Sequence, residues 1–410
     1  MKIWLITSGE PIPSENERPH RVGILSQMLA KKGHEVVWWT TTFDHQKKEY
    51  LFNENTEIRV NENLKMYYLH SKTSYKKNIS FDRIINHNEV AKSFRAVSSN
   101  SDLPDIMFCS FPTIDLSYSS VKFGVENNIP VIVDVRDLWP EIFLNPFPKL
   151  LKPFIRIALS FYFKKTKYIF KNSYGITGVS KKYLEFGLDY GKRARSGKEQ
   201  VFPLGYDSEG KKTIYLKEGE FDYLNINLLK INIWFVGTFG RTYDLLPVIN
   251  VAKRIEKTHP HVNFIFTGDG EKMSLWKKEA LNTNNIIFTG WIGKKELHYV
   301  SLNSNIGLMA YSKGAPQGLP NKVFEYMASG LPILSSLQSE TKVLLEKEKI
   351  GETYMASDSN DLFLKLNKLI SDLNLLKEMS ARSKKVFETK FDSSIVYESL
   401  IKFLETHSKQ

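Results

Sequence analysis

Short apolar runs alternate with helix-like stretches along most of the 410 residues, and that alternation leaves few folds open. Strands are expected at 3–7, 35–41, 65–69, 106–110, 131–135, 175–179 and 200–203. After residue 225 they are expected at 231–236, 263–267, 286–289, 306–309 and 333–335. Helical patterns lie between them, as at 22–32, 246–258 and 321–329. Strands that are apolar throughout, rather than on alternate residues, must be covered on both faces. With helices interleaved, the expected class is α/β with parallel sheets. The alternation pauses at about 205–228, where the chain turns polar and loses its period, and then restarts at 231. A 42% hydrophobic chain of this length supports two or three domains, so we read two Rossmann-like sheets joined by a linker. The expected domains are 1–207 and 208–385, with a helical segment at 386–410. Ligands of such sheets sit outside the carboxyl ends of the strands, and two of them facing one another would leave a cleft.

The segment 318–334 carries the most chemistry. Pro320 suits a first helical turn, Asn321 is a candidate N-cap, Gly330 can take a left-handed stop and Pro332 prevents continuation. A helix start offers free N–H groups and partial positive charge, which together attract an anion. Lys322 adds a full charge there, and Glu325 lies one turn along the same face. A carboxylate suits hydroxyls rather than phosphate. The set therefore fits a nucleotide, with phosphates at the helix end and ribose beside it. A capped surface helix with a Lys322–Glu325 ion pair reads the same residues without a ligand.

Three strands expected upstream end in glycine turns. The first is followed by Gly237, Gly240 and Arg241, whose guanidinium can fork onto phosphate oxygens. The next ends at Gly268, Asp269 and Gly270, and another at Gly290, followed by Trp291 and Ile292. Those two can wall a base; a buried core tryptophan is the alternative. In the first half, the strand at 131–135 runs into Asp134, Arg136, Asp137 and Glu141. Burying such charges is costly unless they are paired, so structural Asp–Arg pairing competes with a catalytic role. A loop at 9–14, with Arg18, His20 and Arg21 opening a helix, can touch an acceptor or simply connect strand to helix.

Charge is uneven. The net charge is +12, and residues 149–198 hold thirteen Lys or Arg against Glu185 and Asp189. That window carries most of the excess and implies a polyanionic partner. Within 149–171, Lys and Arg are interleaved with large apolar and aromatic residues, as in a helix lying in a membrane interface; a core-packed helix with a basic outer face is the alternative. No motif for reading nucleic acid accompanies the charge. No apolar run approaches the roughly 18 residues that span a bilayer. The first residues read as a buried strand rather than a signal peptide, and Cys109 is the single cysteine, so a reducing cytoplasm is expected.

Taken in order, these motifs resemble glycosyltransferase family 4, the retaining GT-B enzymes. The resemblance rests on the Gly33–Val36 turn, on the link at 201–207, on Gly268, Gly270 and Gly290, and on 318–334. It is closest to bacterial enzymes that build O-antigen or capsule repeats, including the N-acetylfucosamine-transferring type. It implies a two-domain GT-B fold and a nucleotide-sugar substrate, most often UDP-linked, with no cofactor and no metal. It implies that Arg241 and Lys322 neutralise the diphosphate, assisted by backbone N–H groups near Gly318, Leu319 and Asn321. Glu325 would hold the ribose, and Trp291 and Ile292 would contact the base. Gly237 and Gly268 would give the donor close backbone approach. The acceptor would enter from the first domain as a polyprenyl-diphosphate-linked glycan at the inner face of a bacterial membrane. The final helix would brace the two domains. Two positions depart from the pattern. Gln317 stands where the family has a glutamate, and Arg136 where many members have a histidine. Asp137 and Glu141 are then the acid–base candidates. A nucleotide-sugar epimerase and a non-catalytic membrane scaffold of the same architecture are the competing functions.

Overall fold

A computed structural model describes residues 1–10, 20–77, 80–207 and 215–409. Residues 11–14 and Arg18 of the expected acceptor loop, and 208–214 of the expected linker, lie outside the described residues. The chain divides into two compact units, one of residues 1–204 with 396–410 and one of residues 205–395.

Unit 1 holds β1 (Lys2–Ile6), β2 (Glu35–Thr41), β3 (Phe43–Asp44), β4 (Glu49–Tyr50), β5 (Thr56–Arg59) and β6 (Leu64–Leu69), then β7 (Ile106–Phe111), β8 (Val131–Val135), β9 (Gly175–Gly178) and β10 (Glu199–Val201). The main sheet runs β10-β9-β8-β7-β1-β2-β6-β5. Its pairings are parallel except β5 on β6, and β3 and β4 form a separate antiparallel pair. Side chains alternate along β1. Trp4 and Ile6 join a core with Trp39, Met107 and Phe111 on one face, and Ile3 and Leu5 join Val36, Trp38 and Phe108 on the other. This two-sided burial is the reason the strands read as continuous apolar runs. The last helix, Ser393–His407, adds Val396, Tyr397, Leu400, Ile401 and Leu404 to that second face.

Unit 2 holds β11 (Ile231–Val236), β12 (Val262–Thr267), β13 (Ile286–Gly290), β14 (Ile306–Met309), β15 (Ile333–Ser335) and β16 (Gly351–Thr353). They form one parallel sheet in the order β13-β12-β11-β14-β15-β16. Helices Leu246–Thr258 and Ser359–Ser371 pack on one face through Val248, Val251, Ile255, Leu362, Leu366 and Leu369.

Strand order reverses at one place in each sheet. β1 lies between β2 and β7, and β11 lies between β12 and β14. Successive connections leave these strands in opposite directions, so a crevice opens at their carboxyl ends.

Candidate functional site

In unit 2 the reversal lies between β11 and β14, and Gly237, Gly268 and Lys322 of the residues singled out in the sequence converge there. Gly237 follows β11 at φ 159°. Gly268 follows β12 at φ 135°, where a Cβ would lie 1.9 Å from the Gly237 carbonyl oxygen, so only glycine lets the two turns touch. The loops after β11 and β14 are zipped together. Asp244 N–H donates to Ala310, Ser312 N–H to Thr242 (2.9 Å) and the Ser312 hydroxyl to the Arg241 carbonyl (2.9 Å).

Lys322 reaches into this corner from helix Asn321–Ala328. Its Nζ donates to the Tyr243 hydroxyl at 2.6 Å and lies 4.2 Å from the centre of that ring. It also rests against bare backbone, since a Cβ on Gly237 would come within 2.5 Å of Nζ. Among the described residues Lys322 makes no ion pair and its Nζ bonds Tyr243 instead, so the Lys322–Glu325 pairing of a plain surface helix is not formed. Tyr243 is itself fixed by Tyr311, 3.4 Å away through the hydroxyls, and its carbonyl accepts from Lys272 Nζ. Burial and the neighbouring Tyr243 raise the Tyr311 pKa, which keeps the Tyr311 phenol neutral.

The helix start differs from expectation in one detail. Pro320, not Asn321, takes the N-cap position, with φ −74° and ψ 158°. The proline ring fixes φ and the next residue is already helical, so the Asn321 side chain does not cap. Among the described residues no side chain caps this helix, which leaves its first N–H groups available to an anion. At the other end Gly330 does take the left-handed conformation, at φ 67°. The approach to the helix is pinned from below. The Gly318 carbonyl accepts from Thr341 Oγ1 (2.7 Å) and Ser339 Oγ (2.9 Å), which fixes where Leu319 and Pro320 lie. Gln317 bonds through its carbonyl to Ser339, while its side-chain Oε1 is buried with no hydrogen-bond partner among the described residues.

The remaining donor-side candidates are placed as follows. Arg241 leaves the loop after β11 with its side chain 93% exposed, 3.6 Å from Glu271. Trp291 is 78% exposed just past β13, which removes the alternative of a core tryptophan. Ile292 beside it and Glu325 on the helix are half-buried. Tyr243, Tyr311 and Lys272 were not singled out in the sequence; an aromatic residue inside a glycine-rich loop was the available signal.

In unit 1 the charges at the end of β8 and just after it, Asp134 and Arg136, enter two ion pairs. Asp134 is buried and bonds Arg21 through both oxygens, at 2.9 and 3.1 Å, and accepts from Thr177. Arg136 pairs instead with Glu10 at 2.7 Å, and Glu10 also accepts from the N–H groups of Val22 and Gly23 at a helix start. The burial of Arg136 opposes its charge, but Glu10 and Asp134 outweigh it and raise its pKa. Asp137 accepts from Leu138 N–H and from Trp139 Nε1. Glu141 accepts from Arg156 and, at 2.6 Å, from the Tyr190 hydroxyl. Asp137 and Glu141 thus lie in unit 1 on local partners, while Arg241 and Lys322 lie in unit 2. Among the described residues no cluster of three or more His, Cys, Asp or Glu side chains is placed to hold a metal ion.

The basic stretch is not uniform. Helix Ser160–Asn172 packs into the core through Tyr162, Thr166, Ile169 and Phe170. Helix Lys152–Ala158 buries none of its residues. Around it Leu150, Phe154 and Ile157 are exposed at 86%, 69% and 71%, beside exposed Lys149, Lys164 and Lys167. Among the described residues no helix is long and apolar enough to cross a membrane.

With this geometry in hand, comparison with known proteins fixes the class. Residues 217–386 match the family described as Glycosyl transferases group 1. The chain is similar to sucrose-phosphate synthase from Thermosynechococcus elongatus (15% identity, 99% of this chain and 98% of that one, TM-score 0.71). It is similar to Anabaena HepE solved in complex with UDP (11% identity, 99% and 100%, TM-score 0.66). It is also similar to WaaG, a glycosyltransferase involved in lipopolysaccharide biosynthesis (11% identity, 97% and 98%, TM-score 0.64). No curated protein matches the chain in sequence. The fold is therefore that of the GT-B glycosyltransferases, with two Rossmann-like parallel-sheet units. Residues 217–386 are a glycosyl transferases group 1 domain, and the chain is a sugar-transferring enzyme.

Proposed function

We propose that this enzyme transfers a sugar, with retention, from a UDP-linked donor to a lipid-linked glycan in bacterial surface polysaccharide synthesis. The observation that carries the donor half is Lys322: a cation with no carboxylate partner among the described residues, held at the sheet reversal beside bare glycine backbone and a helix start with no side-chain cap among them. Lys322 and Arg241 take the diphosphate, aided by the backbone N–H groups near Gly318, Leu319 and Asn321. Glu325 takes ribose hydroxyls, and exposed Trp291 with Ile292 flanks the base. Gln317 offers a neutral amide to a sugar hydroxyl. The UDP named for the Anabaena relative supports the choice of nucleotide. We favour an N-acetylated hexose as the transferred sugar. Asp137 and Glu141 are the carboxylates assigned to the acceptor side. Asp137 is the stronger candidate, because Glu141 is already shared between Arg156 and Tyr190.

The test is binding followed by product analysis. UDP at a hundred times its Kd should stabilise the chain by about 2.7 kcal/mol, read as a rise in melting temperature. A panel of UDP-sugars with a polyprenyl-linked acceptor should then give a glycosylated lipid. Absence of any UDP-dependent shift, or isomerised donor in place of transfer, would remove this reading.

The acceptor half rests on the apolar ridge at 150–157. Exposed Leu150, Phe154 and Ile157 with surrounding lysines suit insertion into an anionic leaflet, at about 1 kcal/mol for each basic residue near the surface. On this reading the protein works on the cytoplasmic face of the membrane. The chain should sediment with phosphatidylglycerol-containing vesicles at low salt and be released at high salt. Phe154→Ser with Ile157→Ser should abolish sedimentation even at low salt. Equal sedimentation of that variant, or none of the parent chain, argues against the surface.

A further inference from the structure

The pairing of β11 differs between its two sides. With β12 it holds register from Ile231↔Val262 to Val236↔Thr267. With β14 it pairs at Ile233↔Ile306 and Trp234↔Gly307 and then stops, although β11 runs on to Val236 and β14 to Met309. On that register the next bond of a parallel ladder would run from the Val236 N–H to the Leu308 carbonyl. A side chain stands between them instead. The Tyr326 hydroxyl accepts from the Val236 N–H at 3.2 Å and donates to the Leu308 carbonyl at 3.0 Å. Both backbone groups keep a partner, but a phenol oxygen now separates the strands where a direct bond would draw them together.

The surroundings fit the ring to this place. Tyr326 is fully buried, and its ring centre lies 5.4 Å from that of Trp234. A Cβ on Gly307 would overlap the ring, so β14 carries no side chain where the ring crosses it. Burial, with Glu325 adding to it, raises the Tyr326 pKa well above the usual phenol value, so the hydroxyl keeps the proton that it donates to Leu308. Trp234 in turn donates through Nε1 to the Thr267 hydroxyl at 3.0 Å, at the end of β12 and next to Gly268.

The ring belongs to the helix that carries Lys322. Tyr326 follows Lys322 by four residues, so both project from one face, with Lys322 one turn nearer the helix start. Tyr326 enters the sheet at Val236, and the Lys322 Nζ rests against the next residue, Gly237. One hydroxyl therefore fixes both how far β11 stands from β14 and how deep the helix start sits over the strand ends.

We propose that Tyr326 is a positioning residue, a wedge that holds the sheet reversal open and seats Lys322 where a diphosphate meets it. That a diphosphate binds there rests on the donor reading above. The experiment measures UDP and uridine affinities of the full chain by ligand-observed NMR in the parent, Tyr326→Phe, Lys322→Ala and the double variant. Phenylalanine keeps the ring and removes the bridge, which frees Val236 and Leu308 to close on each other. Tyr326→Phe should weaken UDP by about tenfold and leave uridine close to the parent, because the loss falls on the phosphates. On the Lys322→Ala background the same change should cost UDP little more, since the group it positions is gone. A residue that only stabilises the fold would weaken both ligands together or neither. UDP binding near the parent's in Tyr326→Phe overturns the proposal, as does an equal loss of uridine or an undiminished further loss of UDP on the Lys322→Ala background. A parent chain that does not bind UDP removes the donor reading and this role with it; a parent that binds UDP beside an indifferent Tyr326→Phe removes the wedge alone. If Tyr326→Phe does not fold, amide exchange in the parent decides. Saturating UDP should slow Val236 about tenfold more than Ile231 at the far end of the strand, and equal slowing at both overturns the proposal.

Discussion

Lys322→Ala is expected to lower turnover at saturating donor by about 10²–10³-fold, roughly 3–4 kcal/mol, with the fold intact. Breaking a sugar–phosphate bond leaves a cationic sugar and a diphosphate more negative than before. A cation that binds the leaving group therefore acts more strongly on the transition state than on the ground state. Lys322 has the geometry for this. Its ammonium is held by the Tyr243 hydroxyl and by aromatic faces rather than by a carboxylate, so its charge is positioned without being neutralised. Aromatic faces attract a cation only modestly, which leaves most of its field for a ligand. Arg241→Ala should act in the same direction. Its side chain is almost fully exposed and its carboxylate neighbour is 3.6 Å away, a surface pair of little strength that should give way to a bound diphosphate. Tyr243→Phe should raise the donor KM more than it lowers kcat, because it loosens Lys322 without removing it. The measurements are kcat and KM for transfer from the active UDP-sugar, with melting temperatures as the control for folding. Near-parental turnover in both Lys322→Ala and Arg241→Ala would sink the diphosphate assignment.

Much of this arrangement was legible from composition and order along the chain, and the reason is local. β2, β8, β11, β14 and β15 are apolar runs bounded by Gly, Pro or polar residues, and both of their faces are buried, so their limits show in the sequence. β5 and β16 escaped because they are short edge strands with little buried surface. Helix Phe81–Ser98 escaped for a different reason. It buries Asn86 and His87 alongside Val90 and Phe94, which blurs the apolar stripe that announces a helix. In the site, Gly237, Gly268 and Lys322 were readable from their type and place. Tyr243 was not, because its contact with Lys322 exists only once the loops after β11 and β14 are zipped together. The same holds for ion pairs. The charges after β8 announced themselves, yet their partners come from the first residues of the chain. Asp134 pairs with Arg21 and Arg136 with Glu10, over separations that no local pattern encodes.

That pairing sets the largest stability effect expected in unit 1. Arg21→Met should cost about 3–5 kcal/mol, because it leaves Asp134 as an unpaired buried charge. Neither side chain of the pair is exposed at all. Arg21 also donates to the Pro203 carbonyl at 2.9 Å and lies 5.8 Å from the centre of the Tyr397 ring, so one guanidinium ties β8, the end of the β10 segment and the last helix together. Arg21→Met with Asp134→Leu should recover part of the loss, since the charge then disappears with its partner. Recovery should be incomplete, because the Thr177 hydroxyl and the Pro203 carbonyl would each lose a hydrogen bond, at about 1–3 kcal/mol for a buried group left unsatisfied. Tryptophan fluorescence mixes signals from both units, as Trp4, Trp38 and Trp39 are in one core and Trp234 and Trp276 in the other. Amide hydrogen exchange across Val131–Val135 reports on the relevant strand directly. Protection there should fall steeply in the single variant and rise again in the double. A single variant within about 1 kcal/mol of the parent, the range of exposed surface pairs, would show that the pair does not hold the unit together. A double variant no more protected than the single would show that the cost lies in lost packing around Arg21 and not in the stranded charge.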